Sequence, residues 1–201
     1  MSHIIESPDL ILNDIINHLS KGVKDRNHGF HTPIFNNISL LNIIDSRIVI
    51  LRKFDSQNLI LNFHTDLRSN KIQGLRKNLN TLFVFYDSSI KIQLRIKTSS
   101  SIHHNDEVTK NSWEQTSLSS RKCYLTLKAP SSSTNIPEDG LPHHLQGINP
   151  TKQESESGYE NFVVIENTIL HIDWLYLSSQ GHRRLSINLA SAMPSFEWII
   201  P

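Results

Sequence analysis

Three short apolar segments, residues 37–44, 47–54 and 58–65, follow one another with only Asp45-Ser46 and Asp55-Ser56-Gln57 between them. Runs of this length, rich in isoleucine and leucine and broken by acidic and serine residues, have the spacing of strands, and the second break predicts a hairpin. The pattern returns further along the chain. Thr81–Tyr86 is a compact apolar strand, and Lys91–Lys97 alternates, with Ile92, Leu94 and Ile96 opposed to Gln93 and Arg95. Asp87-Ser88-Ser89 between them is turn chemistry. Segments 161–166, 169–177, 182–189 and 196–200 close the chain in the same style. Helical periods are fewer. Residues 7–21 carry Leu10, Leu12, Ile15, Ile16 and Leu19 on roughly one face, with Ser7 as cap and Pro8 in the first turn. Ser69–Leu79 has Ser69 as N-cap and Ile72, Leu75 and Leu79 on one face, and residues 111–128 predict a third helix. Residues 22–35 read as a connection. Residues 129–160 hold Pro130, Pro137, Pro142 and Pro150 among many serines and predict a long irregular, partly mobile loop. Six or more strands with helices between and beside them predict a mainly β, α+β fold with a closed or half-closed antiparallel barrel.

The 201 residues suit one domain, 1–201, with room for a proper core. Basic and acidic side chains number 20 and 19, so net charge gives no general reason to expect a nucleic acid or an anionic membrane as partner. The lone Cys123 excludes an intrachain disulfide framework and points to a reducing compartment. The N-terminus shows no basic segment followed by an apolar core, and no uncharged apolar stretch approaches the roughly 18 residues of a membrane span, so a cytoplasmic location is expected.

Three clusters can carry chemistry. In the first, Arg47 opens an apolar segment, Arg52 closes it, Thr65 ends the next, and Ser69 with Lys71 begins a helix. Free N–H groups at a helix start attract anions, and arginine and lysine add charge, so convergence of these residues would form a phosphate pocket. Solvated element ends are the plainer reading of the same charges. In the second, Gln93 faces away from Ile92, Leu94 and Ile96. Its amide can bond a flat heterocycle or simply face water. The third joins His171-Ile172-Asp173-Trp174-Leu175-Tyr176-Leu177 to Gly181-His182-Arg183-Arg184. Arginine beside tryptophan can stack or bind an anion, or the segment can be a hairpin with aromatics inside. None of the eleven histidines has the helical spacing with glutamate of a zinc hydrolase, and no metal is expected. Nucleotide-binding glycine patterns and serine-hydrolase motifs are absent from the sequence.

Together these stretches resemble the pyridoxamine 5'-phosphate oxidase-related, FMN-binding split-barrel family, from about residue 28 to the C-terminus. Arg47-Ile48-Val49-Ile50-Leu51-Arg52 resembles the family's first FMN strand. Phe63-His64-Thr65-Asp66-Leu67-Arg68-Ser69-Asn70-Lys71 resembles the next strand and helix start. Ile92-Gln93-Leu94-Arg95 resembles the strand whose glutamine meets the flavin, and Asp173–Arg184 resembles the C-terminal signature, followed by a Trp198…Pro201 finish. The resemblance implies an antiparallel split β-barrel in which FMN phosphate meets Arg47, Thr65, Ser69 and Lys71. It places Arg52 near the ring and gives Gln93 a bond to the isoalloxazine.

By the same resemblance Trp174 and Arg184 close the site from the partner of a homodimer, although Leu175 takes the aromatic position under a one-residue shift. Tyr124, Arg121 and His182 resemble positions on the substrate side. Asn70 replaces an arginine, and Ser179 or Gln180 stands where vitamin-processing members have one. Both departures weaken pyridoxal phosphate synthesis more than flavin binding. The resemblance therefore implies a flavin-dependent oxidoreductase of unknown substrate. The alternatives are pyridoxamine or pyridoxine 5'-phosphate oxidation, and a non-catalytic flavin- or haem-binding protein.

Overall fold

The computed structural model describes residues 6–191 and 193–201. Among the described residues nine antiparallel strands form one sheet: β1 (Ile34–Ile38), β2 (Ile44–Ile48), β3 (Lys53–Asp55), β4 (Ile60–Asp66), β5 (Asn80–Asp87), β6 (Ile92–His103), β7 (Phe162–Tyr176), β8 (Arg183–Asn188) and β9 (Ser195–Ile199). The order is β2-β1-β5-β6-β7-β4-β3, with β8 also on β7 and β9 on β8. Strand β7 explains the fork. Along one edge it pairs with β6; along the other its first half pairs with β4 (Thr168 opposite Ile60) and its second with β8 (His171 opposite Asn188). The barrel is thus split rather than closed. Residues 49–52 cross the opening, with Val49 N–H donating to Pro33 O, Leu51 N–H to His31 O and Arg52 N–H to Asn62 O.

The inward residues of the strands make the core. Phe35 lies 4.7 Å from Phe63 and 5.1 Å from Phe83, ring centre to ring centre, and Leu61, Leu94, Ile96, Ile172 and Leu185 are buried around them. Burying each such side chain stabilises the fold by about 1.5–3 kcal/mol. Helix α1 (Pro8–Lys24) adds Ile11, Ile15 and Leu19. Its buried stripe therefore runs through Ile11, not through the expected Leu10, which is exposed. Helix α2 (Asn70–Lys77) presses on β1 at Gly74, where a Cβ would stand 2.5 Å from Ile38 O, so only glycine permits the approach.

Several expected boundaries move. The segment 37–44 divides between β1 and β2 at a turn through Ser39, where Asn42 takes a positive φ. Segments 161–166 and 169–177 are one strand with an irregular register near Lys97/Thr98. The helix expected over 111–128 is α3 (Glu107–Gln115), α4 (Leu118–Arg121) and a 3-10 turn, because Asp106 and Ser117 each cap a new start. The loop expected over 129–160 contains a 3-10 turn at His143–Leu145 and helix α5 (Lys152–Glu156). Among the described residues no helix is long and apolar enough to cross a membrane.

Candidate functional site

The split leaves a crevice of about 250 Å³ lined by residues 47–50, Arg52, Phe63, His64, Thr65, Lys71 and Tyr124. Arg47 reaches it from β2, its guanidinium 5.9 Å from the centre of the Phe35 ring, bonded to Asn37 and paired with Asp45. Lys71 reaches it from the first turn of α2. Its ammonium donates to Thr65 Oγ1 at 2.8 Å and Ser69 Oγ at 2.7 Å. Ser69 occupies the N-cap by backbone, yet its hydroxyl accepts from Lys71 instead of capping the helix, so the first-turn N–H groups of α2 carry no side-chain cap. Burial, and next the Arg47 guanidinium, push the Lys71 ammonium down to about 8. A half-buried ammonium bonded to neutral hydroxyls beside a guanidinium, at an uncapped helix start, is a seat for an anion. The structure brings Arg47, Thr65 and Lys71 to one crevice, with Ser69 bonded to Lys71.

Arg52, His64 and Tyr124 also line the crevice. His64 was passed over in the sequence, although it alternates with Phe63 and Thr65 on the same strand. Its ring meets Phe162 edge-on at 4.7 Å. Burial first, then Arg52, lower its pKa to about 3, so it is neutral at physiological pH. Tyr124 lies against Phe162 and Trp113 and is held protonated mainly by burial. It also lines a neighbouring cleft of about 410 Å³ beside Arg68.

The remaining expected residues lie elsewhere on the same chain. Gln93 is on the outer face of the sheet and does not line the crevice. In register with it run Tyr86 of β5, Leu175 of β7, Arg184 of β8 and Ile199 of β9. Leu175, not Trp174, shares this face. Trp174 pairs with Leu94 and Leu185, is 4 % exposed and packs between Tyr176 and Trp198 as a core residue. The period of two along a strand explains the correction, since a one-residue shift exchanges faces. Arg184 lines a separate crevice of about 410 Å³ with His182 and Trp198.

Arg121 is also corrected. It is buried over the Trp113 ring at 4.5 Å, and donates to Trp113 O, Thr116 O, Ser155 Oγ and Glu156 Oε1. Every one of its nitrogens serves the fold. Among the described residues no three His, Cys, Asp or Glu side chains gather as a metal site.

Residues 17–104 match the family described as pyridoxamine 5'-phosphate oxidase, FMN-binding domain. No protein of curated function matches the chain. Its fold resembles that of a pyridoxamine 5'-phosphate oxidase-related, FMN-binding protein from Nostoc punctiforme PCC 73102, with a TM-score of 0.71 at 16% identity over 94% of this chain and 96% of that one. PhzG from Burkholderia lata 383, solved in complex with tetrahydrophenazine-1-carboxylic acid, gives 0.69 at 13% identity over 99% and 95%. A Clostridium acetobutylicum protein of the pyridoxinephosphate oxidase family gives 0.53 at 11% identity over 90% and 95%. Residues 17–104 thus match the FMN-binding domain of the pyridoxamine 5'-phosphate oxidase family, and the forked antiparallel sheet has the fold of the solved split-barrel proteins it resembles.

Proposed function

We propose that this chain binds FMN in the crevice at the barrel opening, as a cytoplasmic homodimer, and serves as a flavin-dependent oxidoreductase. The carrying observation is the Lys71 ammonium, bonded only to hydroxyls beside Arg47. Asp45 already pairs with Arg47, and a phosphate dianion would add the negative charge to which Lys71 itself is not bonded. The bound flavin would accept and return a hydride, which is the cofactor's own chemistry. The chain's part is to grip the phosphate with Arg47, Thr65, Ser69 and Lys71, to wall the crevice with His64 and Tyr124, and to position the ring.

One chain supplies only part of such a site. The crevice, at about 250 Å³, is smaller than the ~300–1,000 Å³ usual for small-molecule pockets. The row Tyr86–Gln93–Leu175–Arg184 lies on the outer face of the sheet, where a two-fold copy can carry it over its partner's crevice. The same face bears an apolar patch that supports pairing. Ile48, Ile34 and Val84 are neighbours in register across β2, β1 and β5, with Ile48 and Ile34 exposed, and Ile44 lies beyond them. Contiguous exposed isoleucines on a sheet mark a contact surface.

Two measurements test the reading. FMN added to the purified protein should bind with quenched flavin fluorescence, and riboflavin, lacking the phosphate, should bind at least about 100-fold more weakly, since two charge-assisted bonds at about 1.5–3 kcal/mol each are lost. Equal binding of the two, or no flavin signal, overturns the site. Ile34→Asp, on the outer face beside Ile48 but not itself lining the crevice, should give a monomer by sedimentation and lose FMN. A monomer that keeps full affinity overturns the shared site.

A further inference from the structure

Arg184 is not a free cation. Its Nε donates to Asp173 Oδ1 at 2.9 Å and its Nη2 to Asp173 Oδ2 at 2.7 Å, a bidentate pair across β7 and β8. Arg95 of β6 approaches the same Oδ2 at 3.4 Å. In register Asp173 sits between Arg95 and Ser186, one step along the outer face from the Gln93–Leu175–Arg184 row. Asp173 is largely buried, and the Arg184 hydrogen bonds foremost hold its carboxyl below the ordinary range, so it is charged at neutral pH. A forked arginine held at two nitrogens has a fixed plane, which leaves Nη1 to donate outward.

We propose that Asp173 is a positioning residue for the flavin ring: it fixes the Arg184 guanidinium and sets the positive charge that the Arg95–Asp173–Arg184 triad presents to the ring. The inference rests on the flavin reading above. With Asp173 in place, two guanidinium groups and one carboxylate leave one net positive charge. Without it the row carries two, and Arg184 is free to rotate. A reduced flavin ring carries negative charge that the oxidised ring lacks, so charge beside it selects between the two forms.

The test is the midpoint potential of FMN bound to the intact protein, measured with reference dyes, alongside FMN affinity. Asp173→Asn keeps the shape and removes the charge. It should raise the potential and weaken FMN binding about tenfold, while Asp173→Glu returns both toward the unmodified protein. Arg95→Met, at a half-exposed position, removes one positive charge with Arg184 still held and should lower the potential, so it decides the matter should Asp173→Asn fail to fold. Bound FMN with an unmoved potential in Asp173→Asn, or in Arg95→Met, overturns the assignment. Failure of the flavin reading looks different, because the unmodified protein then takes up no FMN.

Discussion

Lys71→Met should make the flavin-free protein more stable and, at the same time, weaken its affinity for FMN by about 10- to 100-fold. Folding holds the Lys71 ammonium at about 8 against its ordinary 10.5, chiefly by burial and next by Arg47. The folded state therefore releases this proton more readily than the unfolded chain. At neutral pH the group costs the fold up to about 3 kcal/mol, a cost relieved only as pH rises from about 8 toward 10.5. Methionine fills much the same volume without the charge. The hydroxyls of Thr65 and Ser69 lose a donor, which returns about 1 kcal/mol of the gain. A net gain of about 2 kcal/mol should raise the melting temperature by roughly 4–8 °C for a chain of this length.

The same substitution removes a charge-assisted bond to the phosphate, worth about 1.5–3 kcal/mol, so FMN should bind some 10- to 100-fold more weakly. In the unmodified protein the phosphate favours the charged lysine. Affinity should hold below about pH 8 and fall by up to tenfold per pH unit above it, as binding begins to require proton uptake. Thermal melts without flavin and fluorescence titrations with it read both halves. A flavin-free Lys71→Met that melts lower, or that keeps full affinity, refutes the cradle.

What the sequence disclosed and what it hid follow from one difference. Thr65, Ser69 and Lys71 lie within seven residues of one another, so their meeting was legible locally, whereas Arg47 joins them from β2, which only the resemblance implied. Facing was harder. The choice between Trp174 and Leu175 turns on one residue of register, and the sequence carries no marker of it because both neighbours are apolar. The structure settles the face through the ladder, which sets Leu175 between Gln93 and Arg184. Arg121 misled for another reason. Resemblance alone put it on the substrate side, and only the folding of 155–156 back onto α4 showed that its fork is filled. The loop 129–160 hid its short helix because one capped turn, Thr151 with Glu154, has too few residues to establish a period. His64 and Asp173 were missed because each stood in a quoted motif whose neighbours had the expected roles.

His64 yields the second large effect, an acid destabilisation with a defined window. Burial foremost and Arg52 second lower its pKa from the ordinary 6.5 to about 3. Between those limits the unfolded chain binds a proton that the folded chain refuses, so stability is lost as pH falls from 6.5 and the loss is complete near 3. Each pH unit costs up to about 1.4 kcal/mol, which makes roughly 2 kcal/mol between about pH 6.5 and 5. His64→Phe keeps a ring against Phe162 and removes the titration. Urea unfolding of this variant should show a much flatter dependence over that interval. Some slope should remain, since burial also lowers His18, which sits on α1 and shares a hydrogen bond of 3.1 Å with His28. Bound FMN should shrink the loss in the unmodified protein, because a phosphate in the same crevice offsets the repulsion that Arg52 imposes on a charged imidazole. A His64→Phe protein as acid-sensitive as the unmodified one would show that this imidazole is not the buried titrating group of the crevice that Lys71 also lines.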